Sequence, residues 1–144
     1  MTLQRENILA AITAALASTS GVSGRVWRSR AEALIRDEAP AIVIEPITDD
    51  PASPAVSGCK IDWTLRVAVA VYARGDIPDQ LAAPILADVH NRLMADRTLS
   101  GWAIDVYPGS TDYQIDKADL TCCWAVTTWI IRHRTLVTSI QSPA

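Results

Sequence analysis

Scarcity is the first guide to this 144-residue chain, because each thing it lacks removes a class of explanation. No apolar run approaches the roughly 18 to 20 residues that a membrane-spanning helix needs, and Met1 to Arg5 lead straight into an amphipathic segment. A soluble chain made in the cytosol, with no membrane partner, is expected. Excess positive charge is missing too: 13 basic against 16 acidic residues leave a net charge of -3, without the electrostatic footprint that grips a nucleic-acid backbone. Cysteine stops at three, Cys59 and the adjacent pair Cys122-Cys123, an odd count that builds no disulfide framework. With only two distant histidines beside them, these thiols read as small hydrophobes in a sheet, and no metal or cofactor is expected. Reaction motifs are absent as well: no phosphate-cradling glycine loop, no His-Glu-x-x-His, no nucleophile elbow.

What the chain does have is alternation. Ile61, Trp63, Leu65, Val67, Val69 and Val71 point one way, and Asp62, Thr64, Arg66, Ala68, Ala70 and Tyr72 the other, the period-two pattern of a long strand with one buried face. The second face is only mildly polar, so a helix layer or a neighbouring subunit can cover it. The strand stops at Arg74-Gly75-Asp76, which spells an adhesion tripeptide but is explained by a strand end, a turn and a helix cap.

Around this strand the rest of the chain falls into order. Ile8, Leu9, Ile12 and Leu16 recur at helical spacing, with Thr2 as N-cap and Ser18 to Gly21 as the stop. Arg25 to Arg30 reads as a short basic strand or edge, followed by the brief segment Ala31 to Arg36. Pro40 to Pro46 is a strand bracketed by prolines. Asp49 to Ser57 carries turn chemistry and is expected as a mobile surface loop at a hairpin tip. Asp76 caps a helix with the apolar stripe Leu81, Ile85, Leu86, Val89 and Leu93, in which Pro84 should force a kink or a delayed start. Trp102 to Tyr107 is a strand, Pro108-Gly109 a turn, Asp119 to His133 the final long strand, and Thr135 to Ala144 a trailing segment. The expected fold is one α+β domain over residues 1–134, with a largely antiparallel or mixed sheet, a long central strand and two main helices packed on one side.

Candidate chemistry is sparse. His90 lies on the polar side of the main helix and His133 at a strand end between Arg132 and Arg134, both expected as solvated surface without a catalytic partner. Asp37-Glu38, Asp49-Asp50 and Asp76 with Asp79 are read as solubility and capping residues, not cation ligands. Arg25, Arg28 and Arg30 with Trp27 make a basic-aromatic cluster too short for a nucleic-acid track and better suited to a subunit contact.

Several of these pieces occur in a familiar sequence. Pro40-Ala41-Ile42-Val43-Ile44, a loop, the strand from Trp63 to Val71, Ile77-Pro78-Asp79 opening a helix, Asp112-Tyr113-Gln114-Ile115-Asp116 and Ala118-Asp119-Leu120 before a last strand resemble, in that order, the tail terminators (minor tail protein U) of long-tailed bacteriophages. The residues after Arg134 and the proline-rich loop depart from the pattern. The resemblance implies a small virion protein, assembled in the host cytoplasm, that forms a hexameric ring on the head-proximal end of the tail tube. That ring stops tube polymerisation and presents a head-docking surface. Its partners would be further copies of itself, the major tail tube protein and the head-tail connector proteins. DNA would pass without specific binding, with which a net-negative chain agrees.

On exposure and charge, Arg28, Arg30, Arg74, Asp76 and Asp79 are the candidates for the subunit interface. The loop with Asp49, Asp50, Ser53 and Ser57, and the segment with Asp112, Tyr113, Asp116 and Lys117, are the candidates for facing tube or head. All of them also fit ordinary solvated surface. Two rival readings are a different neck or head-tail joining protein, which gene order would separate, and a small cytosolic enzyme, which His90 pairing with a carboxylate across a subunit joint would revive.

Overall fold

The computed structural model describes residues 3–29, 38–52, 60–117 and 121–143. Its elements are α1 (Gln4–Leu16), β1 (Val26–Arg28), β2 (Ala41–Pro51), β3 (Lys60–Arg74), α2 (Pro78–Ala95), β4 (Asp105–Asp116), β5 (Cys122–Leu136) and β6 (Ser139–Pro143). Five strands lie in the order β1-β2-β3-β5-β4, and β6 pairs the end of β5. Only β1 against β2 is parallel; the other pairings are antiparallel, so the sheet is mixed as the sequence suggested.

The alternation that defines β3 sets the core. Leu65, Val67, Val69, Val71 and Ala73 share a face with Cys123, Ala125, Trp129 and Ile131 of β5, and both helices bury their apolar stripes there. From α1 come Ile8, Leu9, Ile12 and Leu16, and from α2 come Ala82, Ile85, Val89 and Leu93. Each fully buried aliphatic side chain contributes roughly 1.5–3 kcal/mol relative to exposure. The β3–β5 ladder runs unbroken from Lys60 opposite Leu136 to Arg74 opposite Cys122, and makes the spine on which the other elements hang. On the opposite face Tyr72 is also buried and its ring meets Trp124 at 4.7 Å. The adjacent Cys122 and Cys123 are buried and free, and burial pushes the Cys123 thiol up, in keeping with a packing role.

Several local expectations need correction. The N-cap position of α1 is Leu3, without a side-chain cap, and Thr2 lies outside the described residues. Ile77, not Asp76, holds the N-cap position of α2, because Pro78, with its φ preset for a first turn, takes the first helical position and puts Asp76 one residue too early to cap. Pro84 neither delays nor interrupts α2: the core contacts of Ala82, Ile85, Val89 and Leu93 hold the helix through it. Leu81 leaves the buried stripe to Ala82 and is 49% exposed, its side chain folded toward Gly75, where a Cβ would come within 2.5 Å of it.

Strand lengths differ as well. β2 continues through Asp49 and Asp50 to Pro51 instead of opening into a loop there. Its register shifts between Pro46 and Thr48, and since β1 pairs only Ile42 to Ile44, Pro46 removes no ladder donor on that side. Pro108-Gly109 is not a turn but an irregularity inside β4, where the register to β5 slips between Pro108 and Thr111. A Cβ at Gly109 would lie 2.8 Å from the Thr128 carbonyl oxygen, so glycine lets the bulged strand pass close to its neighbour. β4 starts at Asp105 rather than Trp102, and residues expected to trail form the end of β5 and its hairpin partner β6. The segments Ala31 to Arg36 and Ala118 to Leu120, with Cys59, lie outside the described residues.

Candidate assembly interface

β4 closes one edge of the sheet, and among the described residues no strand pairs its outer side. Thr111, Tyr113 and Ile115 stand opposite Thr127, Ala125 and Cys123 of β5, which places them on the helix-bearing face. α2 covers that face over β3 and β5 but leaves it bare over the second half of β4. As a result Tyr113 (54%), Ile115 (49%) and Ile77 (56%) reach solvent together beside the first turn of α2.

Between helix and strand runs a groove made of two adjoining hollows, with Tyr113 lining both. One, of about 510 Å³, is bounded by Ile77, Asp79, Gln80, Ala83 and Ile115. The other, of about 310 Å³, has His90 and Ala87 on one wall, Thr111 on the other and Thr127 and Trp129 at its base. The Thr111 and Thr127 hydroxyls bond each other at 2.8 Å, and the exposed His90 ring tilts over Trp129 at 5.9 Å. Asp76 and Asp79 rim the groove on the helix side, Asp112 lies on the reverse face of β4, and none of the three pairs with a cation among the described residues. An apolar centre with a polar, charged margin is the anatomy of a protein contact surface rather than of a reactive site.

The structure sorts the residues singled out from sequence. Asp79 and Tyr113, expected on different surfaces, line one hollow. Asp76 is exposed in the turn before α2, and Lys117 is exposed just past β4. Asp112 and Asp116 lie on β4 with side chains on the face opposite Tyr113. Arg74 stands in register with Cys122 and, through it, with Asp116; its guanidinium donates to the Tyr72 hydroxyl at 3.1 Å. Arg28 is on β1, at the far edge of the sheet, bonded to Glu6 of α1 at 2.6 Å. Asp50 is exposed and bonded to Arg66 at 2.9 Å. Arg30, Ser53 and Ser57 lie outside the described residues. Ile115 lies inside the segment Asp112 to Lys117 singled out from sequence, though not for its apolar side chain, and Ile77 was missed, because nothing local distinguishes an uncovered isoleucine from a core one.

Asp49 and His133 are the largest correction. Neither is loop or surface: their side chains are 3% and 2% exposed, and His133 Nε2 lies 3.1 Å from Asp49 Oδ1. The alternation of β5 runs on past Ile131, so His133 turns inward with Thr135, and β2 delivers Asp49 from across β3. Arg5 of α1 completes the group, its Nε 3.3 Å from Asp49 and its guanidinium over the Trp63 ring, while Trp63 stacks on His133 and donates to Thr135 at 2.9 Å. The pair is enclosed and gives a substrate no approach, so its role is that of a buried structural hydrogen bond. Among the described residues no group of three metal-ligating side chains converges.

No protein-family model matches the chain, and no curated protein matches it. Among solved structures, a chain from the virion of the native gene transfer agent (GTA) particle is similar over 86% of this chain and 93% of that chain, at 11% identity and a TM-score of 0.49. Nothing about function follows from likeness at that level.

Proposed function

We propose that this protein is a structural virion subunit, a tail terminator, whose task is to cover the end of a polymer. The observation that supports this is the β4 edge, unpaired among the described residues, with its exposed Ile77, Tyr113 and Ile115 and acidic margin, a surface suited to contact on a chain whose buried His133–Asp49 pair is closed to substrates. The ordered resemblance to tail terminators gives that surface its partners: neighbouring copies in a ring of six, the major tail tube protein beneath and the head-tail connector above. The mechanism is steric. One face of the ring matches the tube end, and the other offers no further tube lattice, so growth stops and the head can dock.

The chain works without catalysis, cofactor or metal on this reading, and it resides in the tail or neck of the particle. The test is to add the purified protein to the tail-tube protein of the same particle during polymerisation and to measure tube lengths by electron microscopy. Shortened tubes bearing one ring of about six copies at a single end are expected. Tubes that grow to the same lengths with bare ends would rule the reading out.

A further inference from the structure

We propose that the groove between α2 and β4 receives helix α1 of a second copy of this chain, so that copies join head to tail; the choice of another copy as partner rests on the assembly reading above. The inner side of α1 is committed to the core through Ile8, Leu9, Ile12 and Leu16. Its outer side is not the charged face expected of a surface helix. Ala10, Ala14 and Ala17 are exposed there at a spacing of four and three residues, flanked by the half-buried Ala11 and Ala15. A helix that is apolar on both sides calls for cover on both.

The groove has the complementary shape. Its helical wall presents the exposed Ala83 and Ala87, one turn apart, facing Tyr113 and Thr111 across the gap. Small residues on both partners let two helix axes approach to the short end of the usual 8–10 Å range. From Asp79 to His90 the wall is about 16 Å long and the alanine stripe of α1 about 10 Å, so the stripe fits within it.

Charge selects how the copies face each other. The groove end carries Asp76 and Asp79, whereas α1 lies against β1, which carries Arg28, held by Glu6, and is preceded by Arg25, whose Nε donates to the Pro40 carbonyl. Two grooves placed face to face would set these aspartates against their own copies. Groove against α1 sets aspartate against arginine, and gives the two-patch joint from which rings close.

Two single substitutions at exposed positions test this, Ala87→Arg in the groove wall and Ala14→Arg on α1, with far-UV circular dichroism confirming that both fold. In analytical ultracentrifugation each variant is expected to stay monomeric at concentrations where the unmodified chain associates. When the two are mixed, the intact groove of the Ala14→Arg protein meets the intact α1 of the Ala87→Arg protein, so one-to-one dimers and nothing larger should appear. Undiminished assembly of either variant, an unmodified chain monomeric at every soluble concentration, or a mixture without dimers would overturn the joint. The joint and the terminator reading fail separately: normal rings and tube capping by Ala87→Arg remove only the joint, whereas groove-dependent rings that leave tube growth unchanged remove only the terminator.

Discussion

The two ends of the β3–β5 ladder are finished in opposite ways. Where Lys60 meets Leu136, β2, α1 and β6 gather round, and the polar groups are matched: the buried Asp49 with His133 and Arg5, and Asp62 with Arg134 at the rim. Where Arg74 meets Cys122, the sheet runs out beyond α2, leaving isoleucine and tyrosine in water and three aspartates without cations among the described residues. This contrast predicts that fold stability depends on the first end and self-association on the second.

The sharpest way to break this contrast is to remove Asp49. Asp49→Ala leaves His133 and Arg5 facing an empty site in the interior, and a loss of about 3–5 kcal/mol is expected, read as a lower urea midpoint with the slope unchanged. A loss under about 1 kcal/mol would mean that the closed end does not hold the fold. At the open end, Ile115→Ser should shift stability by no more than about 0.5 kcal/mol while weakening self-association in sedimentation. Should the same variant unfold as readily as Asp49→Ala, the edge would belong to the core and the contrast would collapse.

The smallest effect sharpens the comparison by acid titration. The Asp62 carboxyl is held below its ordinary range, chiefly by the hydrogen bond from Arg134, against a burial effect that raises it and with help from the charges of Arg134 and Arg132. Because its folded value is depressed, the stability it lends is present above the unfolded aspartate value of about 3.9 and fades as pH falls through the lower folded value. Both side chains are more than a third exposed, so solvent screens the pair. Asp62→Asn should slightly flatten the acid limb of the stability curve and leave neutral pH nearly untouched. An equal drop at pH 7 and pH 3 would point to packing instead.

How much of this was legible in the chain depends on whether the signal was periodic. The alternation from Ile61 to Val71 placed β3 and its buried face correctly, and the helical spacing of Ile8, Leu9, Ile12 and Leu16 placed α1. Leu81 could not be ranked against Ala82 by spacing, since both lie within a turn of Ile85, and packing over Gly75 decided it. Asp49 beside Asp50 and Pro51 has the composition of a turn, yet β3 is long enough to keep pairing it. His133 between two arginines looks solvated until the alternation is carried past Ile131 and Asp49 and Trp63 are seen to enclose it. At the interface, Asp79 and Tyr113 were legible as exposed polar residues near element ends. Their meeting in one hollow is a fact of strand order, since β4 joins the sheet beside β5 rather than next to the strand that precedes it.

The prolines inside the outer strands carry one more consequence. Among the described residues no strand pairs the outer side of β2 beyond Ile44 or that of β4, and each strand is interrupted, by Pro46 with its register slip and by Pro108 with the bulge after it. A flat continuous border is a template for edge-to-edge pairing of identical chains. The two interruptions deny such pairing an unbroken run of backbone along either strand.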